Sequence, residues 1–281
     1  MVEPGDVVII ESGDYFEDLK TRVSGTADER ITIKGAGGTS GRESVVLRGA
    51  GDSSRVFQLM HEYYTLEDFT IDGQAVDDIE DVDEDNALES FRNILLYVYA
   101  DELPTKRSGG YLSALDGLIV TRMVFKHALG ECVRIRNFVT HADINDNVIR
   151  DCGLLDFKID EDTSGKNGEG IYIGTARNQW GDTAKNPTGG EDICYGTRIR
   201  NNEIMTDGNE GVDVKEGCLE TSIVDNNISM QHDENAGGIS SHADDTTITG
   251  NTITNAAGAG VRVGTNEPDK DGRFYGVENT V

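Results

Sequence analysis

The sequence predicts an all-β protein folded as a right-handed parallel β-helix, a solenoid of roughly 24–25-residue coils. The chain contains 34 glycines but only 4 prolines, together with many Val, Ile, Thr and Asn residues, a composition that favours strands and turns over helices. The motif I-x-x-N-x-I recurs at 144–149, 199–204 and 248–253. A fixed internal period of this kind is typical of a solenoid.

The asparagines of the repeat define the coil length. They are Asn147, Asn202, Asn226 and Asn251. The spacing is 24 residues from 202 to 226 and 25 from 226 to 251, whereas 147 to 202 spans 55 and indicates a coil with long insertions. Stacked coils place equivalent side chains about 4.8 Å apart, so we expect the amides to form an inward ladder rather than a ligand site. Asn279 resembles a fifth rung of this ladder.

A second strand recurs at a fixed offset before each asparagine. Its copies are Val133–Arg136, Ile171–Gly174, Val212–Lys215, Ile239–His242 and Val261–Gly264. Glycines lie close before four of them, as expected where the backbone turns sharply into a strand. We expect these strands to stack into one sheet. The N-terminal third repeats more loosely, through 7–10, 31–34, 45–47, 56–59 and 66–71.

The periodic pattern resumes after every interruption, so we expect one β-helix domain over residues 1–281. Insertions are predicted near 77–110, 156–170 and 175–190, and loops of such length often border a site. The chain opens almost directly on a strand and ends inside one. We therefore expect it to be trimmed at one or both ends.

The charge of the chain argues against some partners. It has 25 basic and 52 acidic residues, for a formal charge of −27, which should repel nucleic acid and anionic membranes. No apolar run is long enough for membrane insertion, and no secretory signal is visible. The acidity fits a high-salt habitat, a Ca²⁺-rich setting or an ordinary solvated surface.

Alternation along the recurring strand predicts two outward-facing columns of side chains. The first is Arg134, Tyr172, Asp213, Ser240 and Arg262, and the second is Arg136, Gly174, Lys215, His242 and Gly264. Together they would form a positive groove on an acidic protein. Such a groove suits an acidic sugar, because cations can neutralise a uronate carboxylate while a Lys, His or Tyr removes the adjacent proton. The alternative is a solvated face with cross-strand ion pairs.

Other candidate sites carry weaker signals. Asp77, Asp78, Asp81, Asp83 and Asp85 crowd one loop with Glu80 and Glu84, but no glycine occupies the sixth position of an EF-hand loop, so loose Ca²⁺ binding and a solvated loop both stay open. The histidines at 61, 127, 141 and 232 lack zinc-ligand spacing.

The four cysteines leave the redox state open. Cys194 and Cys218 each lie eight residues before a ladder asparagine, so they should stack either as a disulfide or as two reduced thiols. Cys132 and Cys152 do not share a position in the repeat.

The opening segment Pro4–Tyr15, followed by Gly25–Ala27 and Ile31–Gly35, resembles the first coils of the alginate lyase and chondroitinase B group. This group belongs to the pectate-lyase-like right-handed β-helix proteins, a superfamily of polysaccharide lyases and epimerases. The resemblance implies a lysine base, an arginine on a neighbouring coil and, often, Ca²⁺ that neutralises the uronate. Lys215 is the matching lysine. The next coil departs from the pattern, since His242 and Ser240 stand where an arginine is expected.

We therefore expect an extracellular enzyme that cleaves a uronic-acid polysaccharide by β-elimination, with Ca²⁺ as a possible cofactor. Lys215 is expected as base and His242 or Tyr172 as acid. Arg136, which would bind the uronate carboxylate, completes the expected catalytic residues. The expected substrate-binding residues are Arg134, Asp213, Arg262 and Glu210. Epimerase and glycoside hydrolase activities remain open. The competing class is a non-catalytic structural or carbohydrate-binding β-helix, in which the C-terminal edge packs against another copy or a capping partner.

Overall fold

Three parallel β-sheets run through eight successive coils in a computed structural model of the protein. The structure describes residues 2–50, 54–75, 82, 85–100, 102–159, 167–265, 268–269 and 271–281. Each coil contributes one strand to each sheet, and every strand pairs in parallel with its equivalents in the adjacent coils. The right-handed parallel β-helix predicted from the sequence is confirmed. No helix in the described ranges is long and apolar enough to span a membrane.

The three sheets are called A, B and C, in the order in which their first strands occur in the chain. Sheet A contains β1 (Val7–Ile10), β4 (Ile31–Gly35), β7 (Tyr64–Glu67), β13 (Ile119–Thr121), β17 (Asp143–Asn145), β20 (Arg198–Arg200), β23 (Ser222–Val224) and β26 (Thr247–Thr249). Sheet B contains β2 (Gly13–Phe16), β5 (Val45–Arg48), β8 (Thr70–Asp72), β14 (Val124–Lys126), β18 (Val148–Arg150), β21 (Glu203–Met205), β24 (Asn227–Gln231) and β27 (Thr252–Ala256). Sheet C contains β3 (Leu19–Lys20), β6 (Arg55–Leu59), β9 (Ile94–Tyr99), β15 (Val133–Arg136), β19 (Ile171–Ile173), β22 (Val212–Val214), β25 (Gly237–Ser241) and β28 (Ala259–Val263).

The remaining elements are short. They are the hairpin strands β10 (Lys106–Ser108) and β11 (Tyr111–Ser113), the corner strands β12 (Leu115–Asp116) and β16 (Val139–Thr140), helices α1 (Gly38–Gly41) and α2 (Ala87–Ser90), 3₁₀ turns at Arg42–Ser44 and Arg177–Gln179, and a π-helical turn at Leu155–Ile159.

The long insertions all flank sheet C. The hairpin of β10 and β11 follows β9, the π-helical turn precedes β19, and the Arg177–Gln179 turn follows β19. The range 77–110, which the sequence predicted as an insertion, contains the sheet C strand β9, whereas the predicted insertions near 156–170 and 175–190 lie at the two turns beside β19. Since loops beside a rigid sheet commonly carry function, sheet C is the first place to seek a site.

The inward face of each strand fills the core with branched aliphatic side chains. Ile144, Ile199, Ile223 and Ile248 stack in sheet A and are buried. Between sheets A and B the chain turns through one left-handed residue in each coil, at Asp146, Asn201, Asp225 and Gly250. Asp, Asn and Gly adopt this conformation at lower cost than other residues, which explains why one of them precedes each ladder asparagine.

The asparagine ladder forms as predicted. The Oδ1 atom of Asn202 accepts hydrogen bonds from both the backbone N and the Nδ2 of Asn147, each at 3.0 Å. Asn226 and Asn251 repeat the arrangement in the next two coils. The expectation that Asn279 continues the ladder is wrong. Its amide instead bonds Thr246 N and Ala243 O, because the residue that follows it pairs with β26 rather than starting another turn.

The N-terminal segments are solenoid strands, with one difference from the sequence prediction. The segment 66–71 is not one strand but parts of β7 and β8. They are separated at Asp68, which has a φ of 61°. This left-handed residue is the same sheet A to sheet B turn that the later coils make with Asp, Asn or Gly.

Cys194 and Cys218 are buried free thiols, the second of the two alternatives that the repeat left open. A disulfide joins Cys132 and Cys152, whose Cα atoms are 5.7 Å apart. Equal offsets from the ladder did not predict this bond. Cys132 ends one corner between sheets B and C and Cys152 begins the corner of the next coil, so the bond crosses that corner between unequal positions. Cys194 and Cys218 do lie on adjacent coils, joined by the backbone bond from Leu219 N to Cys194 O.

The ladder should contribute measurably to stability. Replacing Asn226 by Ala removes the acceptor of two Asn202 donors, and we expect the free energy of unfolding to fall by about 2–4 kcal/mol because buried donors are left unpaired. Urea unfolding followed by circular dichroism measures this change. The neighbouring exposed Asn227→Ala is the control and should cost less than about 0.5 kcal/mol. Equal effects of the two substitutions would contradict a structural role for the ladder.

Candidate functional site

The outer face of sheet C carries the first column of side chains in the predicted register. Arg134 pairs with Tyr172, Tyr172 with Asp213, Asp213 with Ser240 and Ser240 with Arg262. The column continues backwards through Tyr97 and Gln58. Strand pairing thus places side chains from distant parts of the chain one strand spacing apart.

The second column is also in register. Gly174 N bonds Ile135 O, Lys215 N bonds Ile173 O, and His242 N bonds Val214 O. This pattern of parallel bonds continues each pairing by one residue beyond the strand ends. It aligns Arg136, Gly174, Lys215 and His242 as the sequence predicted.

These columns point outward, but half of their ten members are buried, contrary to the expectation that they face solvent. Asp213 and Ser240 have no exposed surface, and Arg136 and Tyr172 are 3% and 4% exposed. Side chains on successive coils cover one another at the strand spacing. The side chains of Arg134, Lys215 and His242 remain partly exposed, at 16%, 18% and 16%, and give the site its contact with solvent.

Lys215 and His242 meet at Asp213. The Lys215 ammonium pairs with Asp213 Oδ2, and His242 Nε2 lies 3.9 Å from the other oxygen of the same carboxylate. Burial is the largest influence and disfavours the ammonium, but Asp213, Tyr172 and Glu169 together outweigh it, so the pKa of Lys215 is raised. His242 Nδ1 lies 2.9 Å from Gly264 O. A carbonyl can only accept, so Nδ1 carries a proton and a neutral His242 has its lone pair on Nε2.

Tyr172 lies between two cations. The Arg134 guanidinium is 4.5 Å from the centre of its ring and the Lys215 ammonium is 5.0 Å from it. Burial raises the pKa of Tyr172, so the phenol keeps its proton and can donate it. Lys215, Tyr172, Asp213 and His242 therefore form one contiguous group of proton donors and acceptors.

A column of glutamates borders this group and was only partly recognised from the sequence. Glu131, Glu169 and Glu210 each lie two residues before a sheet C strand and stack through the bonds from Cys132 N to Glu169 O and from Gly170 N to Glu210 O. The sequence analysis named Glu210 and treated the residues before each strand as turn residues. The recurring signal was a glutamate two positions before the first Val or Ile of the strand.

Oxygens of Glu169, Glu210 and Asp213 converge within 4.8 Å of one another. We call these three residues the carboxylate cluster. Burial and then the neighbouring charges of Glu131 and Asp213 raise the pKa of Glu169 to about 7. Burial, then Asp213 and Glu169, raise that of Glu210 to about 8. Ser240 Oγ donates to Glu210 Oε1 at 3.0 Å.

The carboxylate cluster has the chemistry of a site for a hard cation. Glu210 Oε2 and Asp213 Oδ1 are buried without a hydrogen-bond partner among the described residues. Carboxylate oxygens are the ligands that Ca²⁺ and Mg²⁺ prefer, and a bound cation would offset the mutual repulsion of three buried carboxylates.

Arg134 and Arg136 differ in their partners. Arg134 Nη2 pairs with Glu131 Oε1 at 2.8 Å. Arg136 is more deeply buried, and its Nε and Nη2 atoms have no hydrogen-bond partner in the described part of the chain. Its guanidinium lies 5.7 Å from the ring centre of Tyr97. Burial, and then the positive charge of Arg134, lower the pKa of Arg136. A buried cation without an anion is costly, and a negatively charged ligand would complete it.

Two sequence predictions lie apart from this cluster. Arg262 belongs to the first column, but its Nη1 donates to the backbone oxygen of Asn235 and it is three coils from Tyr172. The acidic loop candidates Asp77, Asp78, Glu80, Asp81, Asp83 and Glu84 lie outside the described residues.

Known structures share the fold. Over 89% of this chain and 70% of the other, it is similar to an alginate lyase from Paenibacillus sp. str. FPU-7, with a TM-score of 0.66 and 18% identity. It is also similar to the catalytic unit of a thermostable GH87 α-1,3-glucanase from Streptomyces thermodiastaticus strain HF3-3, with a TM-score of 0.54 and 18% identity. This second match covers 92% of this chain but only 36% of the glucanase unit.

No protein-family model and no curated protein sequence matches the chain. The similarities to the two solved structures confirm, at the level of the fold, the resemblance to β-helix polysaccharide enzymes that the opening segment predicted.

Removing the charge of Arg136 and removing that of Arg134 should have different effects on the free energy of unfolding. Arg136→Met removes a buried cation that lacks a partner, so we expect stability within about 1 kcal/mol of the parent protein, or above it. Arg134→Met leaves Glu131 buried and unpaired, and should cost about 2–4 kcal/mol. Urea unfolding at low ionic strength compares the two. A large loss of stability in Arg136→Met, matching that of Arg134→Met, would show that Arg136 has a structural anion partner.

Proposed function

We propose that the outer face of sheet C cleaves a uronic-acid polysaccharide by β-elimination. The observation that carries the proposal is Arg136, a buried guanidinium whose Nε and Nη2 atoms have no hydrogen-bond partner among the described residues, in a protein of charge −27. An arginine that no described carboxylate pairs is best explained by an anion that arrives from outside. A uronate carboxylate matches the planar donor fork of a guanidinium.

Elimination requires the uronate carboxylate to be neutralised, because its charge opposes removal of the proton on the adjacent ring carbon. Arg136 and its neighbour Arg134 supply this neutralisation. Arg134 stays bound to Glu131, which fixes its orientation, whereas Arg136 has free donors. The preorganised positive charge acts in a largely dehydrated site, where it is stronger than in water.

The proton transfers fall to groups that surround Asp213. Lys215 holds a proton in the resting state, and the Nδ1 contact with Gly264 O leaves Nε2 of His242 as the nitrogen that can accept one. This geometry favours His242 as the base that takes the ring proton and Lys215 or Tyr172 as the acid that protonates the departing oxygen. It reverses the roles that the sequence analysis expected for Lys215 and His242. Arg262 and Glu210 remain proposed as binding residues outside the proton transfers.

The carboxylate cluster is proposed to hold Ca²⁺. Glu169, Glu210 and Asp213 would provide its protein ligands, and the unpartnered oxygens of Glu210 and Asp213 fit that role. The ion would supply additional positive charge for the uronate carboxylate.

A second candidate function is glycoside hydrolysis. Glu210, whose pKa is raised to about 8, is protonated at neutral pH as a general acid must be, and it lies beside Asp213. Hydrolases use such a carboxyl pair on either side of the glycosidic bond. The Lys215 ion pair with Asp213 and the unpaired Arg136 favour elimination.

The disulfide between Cys132 and Cys152 supports an extracellular setting, because such bonds persist in oxidising compartments. An acidic polysaccharide outside the cell is the corresponding partner. A non-catalytic role would keep the same binding groups without turnover, so a reaction assay separates the two.

The reaction can be tested on a panel of alginate, pectate, glucuronan and glycosaminoglycans with Ca²⁺. Elimination produces an unsaturated uronate, and we expect a rise in absorbance near 235 nm. Lys215→Ala and His242→Gln should each lower kcat by about 10²-fold or more, because each removes a proton-transfer group. Lys34→Ala, on the sheet A strand β4, is the control and should keep full activity.

The outcomes separate the alternatives. New reducing ends without absorbance near 235 nm would show that the reaction is hydrolysis and not elimination. No product from any substrate would favour the non-catalytic alternative. A kcat/KM that still climbs above about pH 10, the ordinary range of lysine, would make Lys215 rather than His242 the base, because the raised pKa of Lys215 places its deprotonation above that range.

Ca²⁺ binding can be measured by calorimetry without substrate. A cation must displace the protons of Glu169 and Glu210, whose pKa values are raised to about 7 and about 8. Affinity should therefore increase from pH 6 to pH 9, with proton release that disappears at the upper limit. Glu210→Gln should weaken binding at pH 9 by about 10-fold or more. The exposed Glu203→Gln is the control, and equal affinities in both variants would exclude this site.

A further inference from the structure

A second cavity, of about 600 Å³, opens beside sheet C on the C-terminal side of the catalytic group. Its walls come from the insertion after β19 and from the segment near the chain end. Its lining includes Arg177, Asn178, Trp180, Glu191, Asp269 and Tyr275. The size and the combination of aromatic and polar groups are typical of a small-molecule or sugar site.

The cavity is joined directly to the proposed reaction site. Arg177 N bonds Glu216 Oε2 at 3.2 Å, next in sequence to Lys215. A Cβ added at Gly217 would lie 3.4 Å from Trp180 Cζ2, so the indole packs against the turn that follows Lys215. A polysaccharide held at Arg136 and Lys215 would place its next sugars within reach of this cavity.

The aromatic part of the cavity is fixed in place. Trp180 Nε1 donates to Thr175 O at 2.8 Å, and the indole packs edge-to-face on Tyr275 with ring centres 5.8 Å apart. Tyr275 Oη contacts Glu191 Oε1 at 2.5 Å. Since the indole N–H is already used, the half-buried ring offers an incoming sugar an apolar surface.

The described lining of the cavity carries a net negative charge. It includes three carboxylates, Glu191, Asp269 and Asp271, and one cation, Arg177, which lies near Asp269. Arg273 bridges Glu191 to Asp244, so Asp271 is the carboxylate that has no cationic partner among the described residues. Carboxylates accept hydrogen bonds from sugar hydroxyls, whereas they repel a second uronate.

We propose that this cavity binds a neutral sugar next to the uronate, so that the substrate is a heteropolysaccharide in which uronate and neutral residues adjoin. The cavity's position beside Lys215 and its excess of carboxylates lead to this inference. The assignment of neighbouring sugars rests on the proposed uronate site. It distinguishes this chain from an enzyme for a polymer of uronates alone.

Trp180 is the only tryptophan of the chain, so its fluorescence reports on the cavity alone. Titrations would use Lys215→Ala protein, to prevent turnover, and two sets of tetrasaccharides: alternating uronate and neutral hexose, and uronate only. Each set would include glucuronate, galacturonate and mannuronate members. We expect a saturable change in Trp180 emission, with at least one alternating tetrasaccharide binding 10-fold or more tightly than its uronate-only counterpart.

A charge reversal provides the matched test. Asp271→Lys, at an exposed position of the lining, should reduce or invert the preference for alternating over uronate-only tetrasaccharides. Glu203→Lys on sheet B should leave this preference unchanged. Equal or tighter binding of the uronate-only set by the parent protein would overturn the inference. Product near 235 nm from active protein with no change in Trp180 emission for any saccharide would also overturn it, and would leave elimination standing. A saturable Trp180 response without any unsaturated product would support the cavity and reject elimination.

Discussion

In-register stacking of equivalent residues on successive coils is the constraint from which the rest of the structure follows. Parallel pairing fixes each side chain about one strand spacing from its counterpart, so any residue type that recurs at the coil period becomes a column. Inside, the asparagines use this spacing for a ladder in which each amide oxygen accepts two hydrogen bonds. Outside, the same spacing forces ionisable groups together.

On the outer face of sheet C this constraint produces both attraction and conflict. Arg134 and Lys215 lie at the ring of Tyr172 and Lys215 pairs with Asp213, so these neighbours attract. Burial, and then the like charges of neighbouring carboxylates, raise the pKa values of Glu169 and Glu210 on adjacent coils. Arg136 is a buried cation whose Nε and Nη2 atoms have no hydrogen-bond partner in the part of the chain that the structure describes. Groups left unsatisfied in a stable scaffold commonly mark functional sites, and here they lie on one face bordered by the long insertions.

The period of the sequence was sufficient to predict the fold and the membership of both outward columns, because register follows from equal spacing. It could not predict that Asp213 and Arg136 would be buried, since burial depends on the size of neighbours on other coils. It also could not locate the Cys132–Cys152 bond, which joins unequal positions across a corner. Glu131 and Glu169 were missed because the residues before each strand were considered only as turn residues. The Trp180 cavity lies between an insertion and the segment near the chain end, which no repeat relates.

The central claim is that the Arg136 guanidinium binds the carboxylate of a uronate. A crystal structure of Lys215→Ala protein soaked with the oligosaccharides of its preferred polymer would test it most directly. The account predicts a uronate carboxylate within hydrogen-bond distance of the Arg136 guanidinium, with the adjacent ring carbon facing His242. A saccharide bound elsewhere on the solenoid, with Arg136 still lacking an anion or paired with a carboxylate of the chain itself, would contradict it.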